Sequence, residues 1–194
     1  MLRDSNSRGW VLMSSSSTNN QVARYTSTAI GLHWIIAALI ITAFALGWIM
    51  TDLEVSPLKL RMFNWHKWVG ITILLLLIVR LLWRLTHRPP VMLPMPKWQR
   101  ITANVTHVVL YVLLVLQPLS GWVYSNAAGY PIVYLGLIPL PTLVGKDKQV
   151  ADVLMERHEF LGWLLLGVAA LHILAALKHH FVDGDTTLKR MWFK

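Results

Sequence analysis

The chain has 194 residues, 55% of them hydrophobic and 14% charged, with a formal net charge of +9. Soluble domains carry about 25% charge, so this composition indicates a bilayer rather than water, and the length allows one bundle rather than several domains. The absence of cysteine excludes thiolate metal sites, iron–sulfur clusters, disulfides and covalent haem attachment through C-x-x-C-H.

Residues 1–22 are polar and Ser-rich, with Ser14 to Ser17 in a row and no apolar stretch of a secretory signal. They read as a disordered tail, and Met13 is a candidate for the true start. Residues 23–194 read as one domain, an all-α membrane protein with four transmembrane helices. The apolar runs cover residues 30–50, 65–85, 104–124 and 158–181. Each is long enough for a hydrocarbon core of about 30 Å at about 1.5 Å per residue. Pro118 interrupts the third run, which a membrane helix tolerates as a kink. Trp34, Trp48, Trp65, Trp68, Trp83, Trp122 and Trp163 fall near the ends of the runs, as an interfacial belt requires.

The basic residues flank these runs, which fits lipid headgroups and not nucleic acid. Arg24, Arg84, Arg88, Lys97, Arg100, Lys178, Lys189 and Arg190 fall on one side. Lys59, Arg61, Lys67, Lys146, Lys148 and Arg157 fall on the other, diluted by six acids. The positive-inside rule then puts both termini in the cytoplasm; in a bacterium the membrane would be the inner one and the opposite face periplasmic. The connector 126–157 is the longest. Its apolar, Pro-containing half (129–141) is expected to lie anchored on the outer interface, where it could cap a cofactor. The Pro-rich connector 87–98 is stiff and basic.

A histidine inside a span is costly and usually functional. His158 and His172 are 14 residues apart, which puts them within about 40° of one helix face and about 21 Å apart along it. Gly162, Ala169 and Ala176 share that face and leave room for a flat macrocycle. Depth pairs His33, which opens the first run beside Ala37 and Gly47, with His172. It pairs His66, followed one turn later by Gly70, with His158. Neutral imidazole on both sides of an iron makes a closed b-type haem site, and two levels make two haems. Zinc prefers four clustered ligands, whereas each level here offers two. Arg80 and Arg84 lie on the His66 face at the inner depth and need an anion, which haem propionates would supply; an interfacial position for Arg84 is the rival reading. His107 opens the third run at the inner side, and His179 is the rival to His172 as inner ligand. Both are otherwise candidates to bond propionates or a quinone carbonyl, or plain interfacial groups. His87 and His180 read as surface groups.

The runs 30-IGLHW-34, 66-HKWVG-70 into 79-VRLLWR-84, 107-HVVLYVLL-114 with Pro118, and 158-HEFLGW-163 with His172 and 179-HH-180 resemble the bacterial cytochrome b561 family over about residues 24 to 194. The resemblance implies a diheme membrane cytochrome that exchanges electrons with ubiquinone. It also implies, in one type of member, a superoxide oxidase passing electrons from superoxide to ubiquinone. The matching ligand positions are His33, His66, His158 and His172. The polar N-terminal extension departs from the family pattern. With both axial positions filled, transfer is outer-sphere, one electron at a time. Lys59, Arg61, Lys67 and Arg157 are candidates to attract superoxide, and His107, His179 or Trp34 to bond a quinone. The alternatives are a cytochrome subunit relaying electrons between quinol and a periplasmic redox partner, and a non-redox bundle whose histidines are polar glue.

Overall fold

The computed structural model describes residues 24–192, so the polar tail read over 1–22 lies outside the described residues. Four long helices dominate: α1 (Ser27–Asp52), α2 (Pro57–Thr86), α3 (Lys97–Ala127) and α4 (Lys148–Phe181). All four are long and apolar enough to cross a membrane. Their surfaces agree: Ile41 and Leu171, both mid-helix, are 71% and 65% exposed, which only a lipid environment makes favourable. The chain is a multi-pass membrane protein.

Each helix outruns its apolar stretch. α2 begins at Pro57 rather than near 65, α3 at Lys97 rather than near 104, and α4 at Lys148 rather than near 158. For α2 and α4 the cause is capping. Thr26, Ser56 and Asp147 accept from the N–H groups of Ala29, Lys59 and Val150, and Pro57 pre-sets the first turn of α2. Polar turns that hydropathy leaves out are therefore helical. His66, His107 and His158 do not open their helices, as the apolar runs imply; each lies well inside one.

α1 packs on α2, α2 on α3 and α3 on α4, whereas α1 and α4 are not closely packed. Buried residues such as Ile36, Ile73, Leu77, Leu113 and Leu165 fill the seams. Pro118 sits within α3 without ending it. A Cβ at Gly70, one turn after His66, would stand 3.8 Å from Pro118 Cβ, so Gly70 also lies at the α2–α3 seam.

Between α3 and α4 the strands β1 (Val133–Tyr134) and β2 (Ile138–Pro139) form a small hairpin. Leu135 and Gly136 both have positive φ, 52° and 73°, in the turn closed by Leu137 N–H to Tyr134 O. That turn matches the right-handed strand twist. The hairpin is tied down. The Trp68 indole donates to Val133 O at 2.7 Å, the Trp122 indole to Pro141 O at 3.1 Å, and Thr72 and Tyr134 share a hydroxyl bond of 2.9 Å. Buried Asn126 accepts from Leu143 N–H at 2.8 Å. At the opposite end a 3₁₀ turn (Leu188–Met191) returns to α1, where the Trp34 indole donates to Met191 O at 2.8 Å. These are the loop end and the terminal end of the bundle.

Candidate functional site

At the loop end α2 and α4 bring His66 and His158 together, their ring centres 6.0 Å apart and their planes at 84°. Two imidazoles gripping one metal through nitrogens at about 2 Å each hold their centres roughly 6 Å apart. The hydrogen bonds leave the right nitrogens free. His66 Nδ1 lies 2.9 Å from Ala43 O. A carbonyl only accepts, so Nδ1 carries the proton and Nε2 presents its lone pair. For His158 the tautomer is set by Ser120. Its hydroxyl donates to Gln117 O at 2.8 Å, so towards His158 Nδ1, 2.9 Å away, it accepts. The Gln117 amide nitrogen, 3.4 Å from His158 Nε2, meets the free lone pair. Such outer partners fix a ligand's tautomer and ring orientation.

The approach depends on glycines. A Cβ at Gly121 would stand 2.8 Å from His158 Cε1, and one at Gly47 would stand 3.4 Å from His66 Cε1. Gly47, read from sequence as lying on the His33 face, therefore serves His66. Gly162 is buried, and a Cβ there would meet Gln117 Nε2 at 3.2 Å. Gln117 Oε1 is buried without a hydrogen-bond partner. A buried amide oxygen without a partner, on a side chain whose nitrogen makes only a long contact to His158 Nε2, marks a position built for something else. The donor set, its spacing and the small residues beside it fit a haem.

At the terminal end His33 (α1) and His172 (α4) stand 6.3 Å apart at 72°, the same spacing. A third ring joins them: His107 (α3) lies 5.4 Å from His172 at 66°. The two levels are about 21 Å apart along α4 by helical rise. Arg80 donates to Ala29 O at 2.8 Å and to the Tyr111 hydroxyl at 3.3 Å. Arg84 also reaches that hydroxyl, at 3.4 Å, with its guanidinium 5.8 Å from the Tyr111 ring centre. Their acceptors are neutral; among the described residues no carboxylate pairs with either.

His179 is held elsewhere. Its Nδ1 lies 2.8 Å from Asp185 and 3.0 Å from Asp183, beyond the end of α4, and Asp183 also takes Lys178 at 2.7 Å. Burial alone would raise the Asp185 carboxyl, but the Thr187 N–H and His179 outweigh it and hold it below the usual carboxylate range. The Trp34 indole is engaged by Met191 O, which leaves His107 as the unengaged one of the three quinone-bonding candidates. Sequence reasoning missed Gln117, Ser120, Gly121 and Tyr111. Its available signal was 117-QPLSG-121, a polar cluster inside an apolar span.

Four membrane helices carrying facing imidazoles at two levels define a membrane electron carrier of the b-type cytochrome class. A profile of the prokaryotic cytochrome b561 family matches residues 24–194. The chain is 34% identical over 179 residues to "Cytochrome b561 homolog 2" of Escherichia coli (strain K12), covering 90% of this chain and 94% of that protein. It is 32% identical over 174 residues to "Probable superoxide oxidase CybB" of Yersinia pestis, covering 87% and 95%. It is 30% identical over 177 residues to "Cytochrome b561 homolog 1" of the same E. coli strain, covering 87% and 96%. The chain belongs to the prokaryotic cytochrome b561 family, whose members bind b-type haem and transfer electrons in the membrane.

Proposed function

We propose that this cytochrome carries two haems, one between His66 and His158 and one between His33 and His172, and moves electrons from superoxide to ubiquinone. The termini then face the cytoplasm, and the loop end faces the periplasm. The observation that carries the reading is the pair of imidazole gaps, 6.0 and 6.3 Å, on one helix. The likeness to a relative named as a superoxide oxidase supports the choice of donor.

Haem held by these imidazole pairs would supply one-electron redox chemistry. The protein supplies orientation, access and charge. Nδ1–H bonds to Ala43 O and Ser120 hold the loop-end rings in their ligating tautomer. Arg80, and with it Arg84 in part, would bond the cofactor's carboxylates at the terminal end. His107 would donate to a quinone carbonyl there. Two superoxide anions each release one electron and leave as dioxygen; the two electrons with two protons convert one ubiquinone to ubiquinol.

Of the four cations expected to attract superoxide, Lys59 is tied to Thr51 O and Leu53 O at the end of α1. Arg61 and Arg157 are exposed. Lys67 is half-buried next to His66, its ammonium 3.5 Å from Ser125 Oγ. It is the cation best placed to raise the local concentration of an anion. Stopped-flow mixing of holoprotein with superoxide should reduce the haems rapidly, and ubiquinone should reoxidise them. Reduction no faster than spontaneous loss of superoxide sinks the proposal. Lys67→Gln should slow the second-order reduction about tenfold at low ionic strength, a gap that narrows as salt screens it.

A further inference from the structure

The terminal end holds a second feature that electron transfer does not account for. A cleft of about 60 Å³ lies where α1 begins and α2 ends, and Arg24, Arg80, Arg84 and Arg88 all line it, with Tyr111 and Trp83. Among the described residues no carboxylate lines it. Like charges gathered at one cleft repel unless an anion joins them.

Among the described residues no acid provides that anion. Eight of the chain's nine acids are among them, and six of those (Asp52, Glu54, Asp147, Asp152, Glu156 and Glu159) belong to the loop end. The other two, Asp183 and Asp185, are engaged by Lys178, His179 and the Thr187 N–H. The arginines meet neutral acceptors instead: Arg24 donates to Lys189 O at 3.1 Å, Arg80 to Ala29 O, and Arg84 to the Tyr111 hydroxyl. Each guanidinium has five N–H donors in a planar fork, so most remain available for a tetrahedral oxyanion.

The surroundings say where such an anion comes from. The cleft sits at the level where a span ends. Trp83 forms one wall, its indole donating to Thr26 Oγ1 at 2.9 Å and its ring stacked on His87 at 3.8 Å. The same stretch of α2 carries Leu82 and Leu85, 59% and 80% exposed. A cationic cleft at a tryptophan-marked boundary, next to exposed leucines, matches a molecule with an anionic head and an apolar tail.

We propose that the mouth of this cleft binds the phosphodiester headgroup of an anionic phospholipid from the leaflet at the terminal end, held by Arg24 and Arg88, while Arg80 and Arg84, which share the Tyr111 hydroxyl, serve the haem site. The inference rests on the membrane placement of the family and not on superoxide as donor.

The test uses purified holoprotein in detergent, titrated with phosphatidylglycerol and read by native mass spectrometry. Wild type should bind one phosphatidylglycerol more tightly than phosphatidylcholine, whose ammonium the arginines repel. Arg24→Gln and Arg88→Gln should each weaken it about fivefold and together about 25-fold, with haem content unchanged. Lys97→Gln with Arg100→Gln, at the same end but outside the cleft, should leave the affinity alone. Equal affinity in wild type and the Arg24/Arg88 double variant overturns the proposal, and so does an equal loss in the Lys97/Arg100 control. Competition by inorganic phosphate at a similar concentration would assign the cleft to a soluble anion and overturn the lipid. Loss of haem in the double variant would assign these arginines to the cofactor and overturn it as well.

Discussion

The two histidine levels draw one ligand candidate each from α4, yet their surroundings differ in kind. At the loop end every non-ligating nitrogen is engaged: Ala43 O takes His66, and Ser120 takes His158. Glycines 47 and 121 let neighbouring helices close on the rings. At the terminal end three imidazoles share the space, and arginines with neutral partners surround them. The first level is preorganised and closed. The second is charged and keeps donors available for further ligands. Under the proposed function that asymmetry separates a preorganised loop-end site from a terminal end with donors left for an acceptor.

The largest expected effects come from the imidazoles themselves. His66→Ala and His158→Ala should each remove the same haem, and His33→Ala and His172→Ala the other, leaving one haem per chain by pyridine haemochrome assay. His179→Ala should keep both. The comparison breaks if His107→Ala removes a haem that His33→Ala leaves in place, because the terminal level would then be an α3–α4 site.

Gly121→Ala comes next. The new methyl would stand 2.8 Å from His158 Cε1, so the imidazole or α3 must shift, at about 1–3 kcal/mol. The loop-end haem should be mostly lost and the terminal-end haem kept. Gly167→Ala, where a Cβ meets nothing within 4 Å, is the control and should match wild type. Full haem content in Gly121→Ala would mean that the close approach has no role.

How much of this was legible in the sequence follows from what fixes each feature. Helical period and rise depend only on position along one chain, so the four spans and the convergence of His33 with His172 and His66 with His158 could be read directly. The relative rotation of helices is not written in any single run. That is why the sequence places Gly47 on the His33 face of α1 without showing that it meets His66 across the bundle, and why the approach of Gly70 to Pro118 is not visible in it. The third imidazole and the loss of Trp34 and His179 to local partners have the same origin. Helix starts were missed because caps at Ser56 and Asp147 recruit polar turns that an apolar window passes over.

Ser120→Ala sharpens the comparison more gently. It removes the acceptor for His158 Nδ1–H without touching the ring's position directly. Loss of such a partner weakens metal-site affinity by about 10- to 100-fold. The loop-end haem should therefore dissociate faster, with a shifted reduction potential, while the other level stays unchanged. Ser120→Thr keeps the hydroxyl and should restore both properties. Equal shifts at both levels would show that Ser120 supports α3 rather than His158.

The smallest effect lies outside the membrane, at the end of α4. Asp185 is held below the ordinary carboxylate range, chiefly by the Thr187 N–H and His179 working against burial. Its stabilising contribution is therefore present above the carboxyl's unfolded pKa, about 4, and fades as pH falls through the lower folded value. Partial solvent exposure keeps it modest. Asp185→Asn should lower Tm by about 2 °C at pH 7, and the difference should shrink in acid as the wild-type carboxyl takes up its proton. Both haem spectra should stay unchanged, because the His179–Asp185 contact ties the returning 3₁₀ turn to the helix and takes no part in either imidazole pair. A spectral change in this variant would instead bring His179 into the terminal-end site.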